Sequence, residues 1–429
     1  MSFLNRQAAA IKNSWQPESI GELDRHISSG GGMFTHTGLF VSEQSSLNHI
    51  EVLKCARVRA EVRGCLETKV YRWTNTARTR KEEARDHPLF YLLNVAENDE
   101  TDAQSYIERQ ELFLSLWGND GSIITRNTSR NKNITSIDQL SWWDVRVDRD
   151  RETGKLAYKY RDRGKWEPIP TEKMFHINTM ALDGVNGLSF IGMARESVSQ
   201  GIALTTFANK FFSNGMHTNM VLETAGVLTE TGRDNMRTAM AELKTGLEHS
   251  WEPFILEEGA KWSTIPMNFV DAQFIDILKL NKLDIDGLFR VPPPMVGNSY
   301  QGLTYNNIEQ LSLDFVLFSL LPCVTRFETM ANWKLLSRQE FDAGYFVKTN
   351  LDTLLRADSK TRGEYFKNKV QNGAASPNDW RIADGENPID HPSGDEHYAN
   401  GNFRTLPQIC ANDIKTNNQT GGDGNNATE

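Results

Sequence analysis

The chain has 429 residues, 38% of them hydrophobic and 24% charged, and a formal net charge of −9. That length exceeds one core, so two or three domains with much polar surface are expected. The acidic balance argues against holding nucleic acid by overall electrostatics. Four cysteines with no paired spacing and no nearby histidine cluster point to a reduced chain.

In chain order, residues 1–34 read as a flexible arm ending in the Ser28–Gly32 run, without the apolar core of a signal peptide. From Gln44 a helix is expected, with Leu47, Ile50, Leu53, Cys55 and Ala56 on one face and Lys54, Arg57, Arg59 and Arg63 elsewhere. The basic stretch 72–85 reads as a solvated connection balanced by Glu82, Glu83 and Asp86 rather than a phosphate site. His87-Pro88 opens a helix, and 102–116 makes another. Between 123 and 177 the period becomes two. Val145 and Val147 alternate with charges, a turn follows at 150–155, and Leu156, Tyr158 and Tyr160 alternate again, as a hairpin with one wet face does. Trp166 and a strand at 174–177 follow. Trp142 and Trp143 read as packing anchors.

A long helix is expected over 187–210, in which Gly201 costs about 1 kcal/mol against alanine. Then come a strand at 220–222, a helix over 231–247 and a hairpin-like 254–265. The helix 271–289 is expected to turn Phe274, Ile277, Leu278, Ile285 and Leu288 inward, with Asp276, Lys279, Lys282 and Asp286 wet. Pro292, Pro293 and Pro294 make a rigid stop, since each fixes φ and lacks an N–H. An uncharged loop follows, containing Asn298, Ser299, Tyr300, Gln301, Thr304 and Tyr305. Asn306 and Glu309 read as a capping box opening a long apolar helix through Ile308, Leu311, Phe315 and Phe318, bent at Pro322. The apolar run 315–321 is too short to span a membrane. Beyond 351 the pattern is helix, turn, helix, with Gly373 past one helix and Ser376, Pro377 and Asp379 opening the next. The tail 391–429 is polar and reads as mostly disordered.

No catalytic, cofactor or metal site is expected. There is no P-loop, dinucleotide fingerprint or HExxH pattern. The segment 187–192 has one residue too many for a nucleophile elbow, and Ser189 fits a helix N-terminus better. His176 reads as structural, and Glu257-Glu258 as a turn. Two rival readings are a nuclease-like DNA-processing enzyme, which lacks a carboxylate cluster, and a helix-turn-helix DNA-binding protein. The latter would use Asn378, Asp379, Trp380 and Arg381, too acidic a set for confident groove reading.

Several short stretches occur in an order that resembles the portal proteins of tailed double-stranded DNA bacteriophages. They are 87–94 (HPLFYLLN), 116–119 (LWGN), 175–177 (FHI), 183–189 (DGVNGLS), 211–215 (FFSNG), 256–259 (LEEG), 291–293 (VPP), 305–310 (YNNIEQ), 360–366 (KTRGEYF) and 371–373 (QNG). Pro294 departs from the family's proline pair, Asn119-Asp120-Gly121 is more polar than usual, and the arm and tail have no match. The resemblance implies an α+β multidomain subunit of a closed ring with a central channel. It implies a wing over 35–187, stem helices over 188–214 and 271–290, and a clip over 215–270. It further implies a channel loop over 291–305, a long wing helix and strand region over 306–350, and a helical crown over 351–390.

It also implies a conduit without catalysis or cofactor, of twelve subunits as a rule, at one capsid vertex. DNA would pass without sequence specificity. The implied partners are terminase large subunit, capsid or scaffolding protein and head-tail connector proteins, with no membrane; the implied location is the virion, and the host cytoplasm during assembly. Lysine or arginine in the bore would be repeated in every subunit and grip phosphate. The uncharged loop 296–305 avoids that, with Pro292, Pro293, Pro294, Asn306 and Glu309 positioning it.

Overall fold

The computed structural model describes residues 32–398 apart from 76–77, 79, 128–132, 150–153, 214–219, 224–228, 235–237, 239–260, 265–270, 299–304, 352–353, 355–358 and 385. The chain divides into two compact units, Met1–Asn350 and Leu351–Glu429.

The first unit opens with a short hairpin, β1 (Met33–Phe34) and β2 (Phe40–Val41). The expected arm therefore gives way to strand two residues early; its residues 1–31 lie outside the described ones. After α1 (Glu43–Ser46) comes α2 (Ile50–Gly64), and its inward face differs from the expected one. Ile50 and Leu53 are exposed, while Glu51, Cys55, Arg59 and Arg63 are buried. Fourfold spacing places these polar residues in one row, and hydrogen bonds to other elements make the burial of most of them tolerable. The basic stretch is a hairpin, β3 (Thr68–Trp73) and β4 (Lys81–Glu83). Its cations lie over aromatic rings, Lys81 at 4.4 Å from the Tyr71 centroid and Arg72 at 5.2 Å from Tyr345.

Helix α3 (Pro88–Asn94) is capped by His87, whose Nδ1 accepts from the Leu89 amide, and α4 (Ala103–Trp117) by Asp102, which accepts from Ser105. Two strands escaped the periodicity reading, β5 (Asn119–Arg126) and β6 (Ile134–Gln139). Strand β5 begins Asn-Asp-Gly-Ser, which resembles a turn. Its polar groups are nonetheless buried and paired: Asp120 accepts from Gln110 and Gln139, and Asn119 exchanges hydrogen bonds with the Gly187 backbone. The expected hairpin is β7 (Val145–Arg149) with β8 (Leu156–Asp162), extended by β9 (Lys165–Ile169). Strand β10 (Met174–Asn178) instead pairs with β5. Trp142 is buried against His176, whereas Trp143 is 42% exposed beside Phe113 and Trp117.

The expected long helix divides at Ala194 into α5 (Phe190–Met193) and α6 (Arg195–Ser213). Gly201 is required there, since a Cβ would lie 2.1 Å from His49 Nε2 and 2.5 Å from Asn281 Oδ1. Strands β11 (Met220–Glu223) and β12 (Lys261–Thr264) pair antiparallel; the expected helix 231–247 and Glu257-Glu258 fall largely or wholly outside the described residues. Helix α7 (Asp271–Phe289) buries Ile285, Phe289 and, against expectation, Asp286, but leaves Ile277 44% exposed. Lys279 pairs with Asp276, and Asp286 turns to other partners.

Next, α8 (Tyr305–Asp314), a π-helical segment (Phe315–Leu320) and α9 (Leu321–Lys334) run on in succession. Pro322 does not break the helix; the wider π register accommodates a residue with no N–H to donate. Gln310–Lys334 is consequently long and apolar enough, by length and composition, to cross a membrane. Within this unit, however, its Phe315, Leu320, Val324, Phe327 and Ala331 are buried. After α10 (Arg338–Asp342) comes β13 (Tyr345–Thr349). The sheets are small and antiparallel, in the orders β13-β3-β4, β10-β5-β6 and β7-β8-β9 with two strand pairs. One apolar core, including Leu89, Tyr106, Ile124, Ile137, Phe175, Phe327 and Val347, joins the first two sheets to the helices. The mixture of helices and small antiparallel sheets agrees with the α+β class that the resemblance implied.

The second unit contains α11 (Ser359–Gln371) and α12 (Pro377–Asp384). Gly373 has φ +69°, and Ser376 and Asp379 form a reciprocal cap, each side chain accepting from the other's amide.

Candidate functional site

The stretch 291–305 follows the end of α7. Arg290 adopts φ +54°, a left-handed stop for the helix, and Pro293–Val296 forms a 3₁₀ turn closed by Gly297 at φ +82°. Glycine suits that position because it has no Cβ to clash. The prolines therefore do more than stop α7: they build a turn that brings the chain back toward it. Asn298 then donates from one amide nitrogen to Glu51 Oε1 at 3.0 Å and to Asp286 Oδ2 at 2.8 Å. Asn298 was expected to face a channel. Its side chain is instead tied inward, because two buried carboxylates need donors and its amide supplies them.

Glu51 belongs to the buried row of α2, and Asp286 faces that row from α7. Cys55 Sγ lies 3.3 Å from Asp286 Oδ1, and burial followed by the Asp286 charge pushes the thiol's pKa well up, so the thiol keeps its proton and donates it. One turn on, Arg59 donates to Glu111 at 2.7 Å, to the Phe289 carbonyl at 2.7 Å and to Cys323 Sγ at 3.1 Å. It thereby ties α2, α4, the end of α7 and α9 together. Arg63 lies 5.2 Å from the Phe327 ring centroid.

The π segment completes the base of the site. Pro322 has no proton for the Phe318 carbonyl, and Arg290 donates to that oxygen at 3.2 Å. Ser319 Oγ returns a hydrogen bond to the Arg290 carbonyl at 2.5 Å. The strained arginine at the end of α7 is thus held by the helix that follows the loop. Of the residues expected to line a channel, Ser299, Tyr300, Gln301 and Thr304 lie outside the described residues. Tyr305 begins α8, so Asn306 is within the first helical turn rather than the cap, and Glu309 is in the following turn.

Glu51, Cys55 and Asp286 also bring potential metal-ligand atoms within 4.8 Å of one another, which the sequence pattern did not disclose. The protonated thiol and the amide bridge already engage them. We read them as a structural clasp, and Asn298 as its keystone. His176 is buried and neutral: burial holds its pKa at about 4, and it contacts Asn119 Oδ1 and the Tyr158 hydroxyl at 3.2 and 3.3 Å. Ser189 caps α5 and meets the Glu43 carboxylate at 2.8 Å, as a helix N-terminus rather than a nucleophile.

The helix-turn-helix reading loses its readers. Asn378 binds the Ile389 backbone and Asp395, Asp379 caps its own helix, Trp380 stacks on Phe366, and Arg381 pairs with Glu386. Side chains so engaged are not free to read base edges.

A family model described as "Phage portal protein" matches residues 51–385. The portal protein of Enterobacteria phage HK97 is 26% identical over 384 residues, covering 88% of each chain. The crystal structure of an HK97 family phage portal protein from Corynebacterium diphtheriae covers 77% of this chain and 100% of its own, with TM-score 0.55 and 13% identity. The neck of a native gene transfer agent particle, computed with C12 symmetry, covers 90% of this chain and 100% of its own, with TM-score 0.53 and 17% identity.

Proposed function

Because the chain belongs to the phage portal protein family, a structural and non-enzymatic component of capsid assembly, we propose that its subunits close into a ring of twelve at one capsid vertex, with the loop 296–305 at the narrowest part of the channel. The observation that carries the loop assignment is its construction. Residues 291–305 contain no charged side chain. They stand between a proline turn clasped through Asn298 and a helix held to Arg290. A conduit for double-stranded DNA must confine without gripping. Each cation in a ring would be repeated in every subunit and would release counterions on meeting phosphate. Asn298 is the loop's anchor, while Ser299, Tyr300, Gln301, Thr304 and Tyr305 are its DNA-facing part.

Twelvefold closure is supported by the symmetry of the gene transfer agent neck. Terminase, capsid or scaffolding protein and connector proteins are the partners that this role requires, in the host cytoplasm during assembly and in the virion afterwards. The stem would comprise α6 and α7, and the clip the chain between them.

The test has two parts. Negative-stain images of the purified protein should show rings with a central hole; a monomer would refute the assembly. Ser299→Lys combined with Gln301→Lys should leave rings intact and reduce packaged DNA. Normal packaging by that double variant would remove the loop from the DNA path.

A further inference from the structure

The sheet β13-β3-β4 turns Tyr71, Trp73 and Phe346 to one face, since Tyr71 stands opposite Phe346 and alternate residues of a strand share a side. Phe346 stacks on Trp73 at 4.6 Å and on Tyr71 at 5.6 Å between ring centroids, and Lys81 lies 4.4 Å over Tyr71. A base would need an uncovered ring face to stack on, and those of Tyr71 and Phe346 are already engaged. The ridge suits protein side chains better. Residues 72–86 hold five cations and three carboxylates. Glu83 takes Lys69 and Arg85 at 3.0 Å each, and Glu82 stands opposite Arg72 on the other side of the sheet. Arg78, Arg80 and Lys81 are exposed, and among the described residues they meet rings or solvent but no carboxylate, with Asp86 left against them. Next to Arg78, Phe341 is 41% exposed, while Asp342 is held by Arg338 and Glu340 by His87.

We propose that this basic, aromatic face docks the acidic loop 97–102 of a second copy of the chain. The contact rests on the ring assembly proposed for the chain and names two surfaces that build it. The loop has four carboxylates and no cation. Glu97 is buried and Asp102 caps α4, but Asp99 and Glu100 are exposed, with no cation on them among the described residues. Asn98 shapes the loop, its Oδ1 accepting from the Glu100 and Thr101 amides at 2.9 and 2.8 Å. Asp138, bonded to Asn98, adds a further negative charge; Arg109 on α4 acts on Glu97 and Asp120 and offsets one charge, leaving the loop acidic. Beside the loop Tyr91 and Val95 are 59% and 52% exposed, an apolar shoulder to set against Phe341 and the ridge.

The two surfaces belong to different sheet edges. Strand β4 ends the order β13-β3-β4, whereas the Glu97 carbonyl accepts from Ile137 on β6, which ends β10-β5-β6. Two different, complementary patches on one chain make a heterologous contact, the kind that closes rings. Opposite charges across it fix register and reject a like-charged face.

Charge reversal in the full-length chain tests this. Arg80→Glu/Lys81→Glu and Asp99→Lys/Glu100→Lys should each yield at least tenfold fewer rings than the native chain, by light scattering and negative-stain images, with unchanged circular dichroism. Mixed in equal amounts, the two variants should recover rings, because the reversed face of one meets the reversed loop of the other in alternation. All four substitutions in one chain should recover them too. No recovery in either case would overturn the contact. Rings at native yield from each variant alone would also overturn it, and would leave the basic face to an acidic segment of another protein. A native chain that stays monomeric would refute the ring assembly itself, and this contact with it.

Discussion

Glu97 lies between α3 and α4, 1% exposed, with Oε2 lacking a hydrogen-bond partner. Burial first, and then the nearby charges of Asp120 and Asp138, push its pKa up to about 8. The folded chain therefore holds this proton more tightly than the unfolded chain, where the pKa is near 4.5. Between those values the native state binds more protons, so stability falls as pH rises, by about 1.4 kcal/mol per unit, and levels off above the folded pKa. Asp120, raised by burial to about 6, adds to the loss at the acidic end of the range. Glu97→Gln removes the larger contribution while keeping the side chain's shape. Thermal unfolding followed by circular dichroism from pH 5 to 8 should show the variant gaining on the native chain by about 2 °C per unit. Curves that remain parallel throughout would refute a buried protonated Glu97.

Three further outcomes follow from the clasp and the stem. Arg59→Met leaves the Glu111 carboxylate buried without its guanidinium. It should cost about 3–5 kcal/mol, measured by the urea midpoint, and a simultaneous Glu111→Leu should recover much of the loss. Gly201→Ala should destabilise by about 1–3 kcal/mol through overpacking, despite alanine's better helix propensity, because its Cβ meets His49 and Asn281; His49→Ala should reduce that cost without abolishing it, since the Asn281 contact remains. Asn298→Ala deprives Glu51 and Asp286 of their shared donor. The expected loss is about 1–3 kcal/mol, with faster amide exchange at Gly297 and Asn298; unchanged exchange would count against the clasp.

The elements bounded by local chemistry were legible in the sequence. His87-Pro88, Asp102, Ser189 and Ser376 start helices because each side chain accepts from an amide two or three residues ahead, so their neighbours along the chain suffice. The β7–β8 hairpin was legible because one face is wet and the other dry. The family was legible as an ordered series of short motifs, and the uncharged loop needed only the sequence itself. What tertiary structure decided was the fate of polar residues. Nothing local distinguishes Glu51, Arg59, Asp120 or Asp286 from solvated charges. Their partners, Asn298, Glu111, Gln139 and Cys55, stand between 19 and 247 residues away. Burial of such groups is tolerable only when the partners arrive together. The same holds for Pro322, where continuation of the helix depends on the π register and on Arg290 from α7. Composition and spacing thus revealed an uncharged loop between a proline turn and a long helix; packing decided that Asn298 fastens that loop to two buried carboxylates.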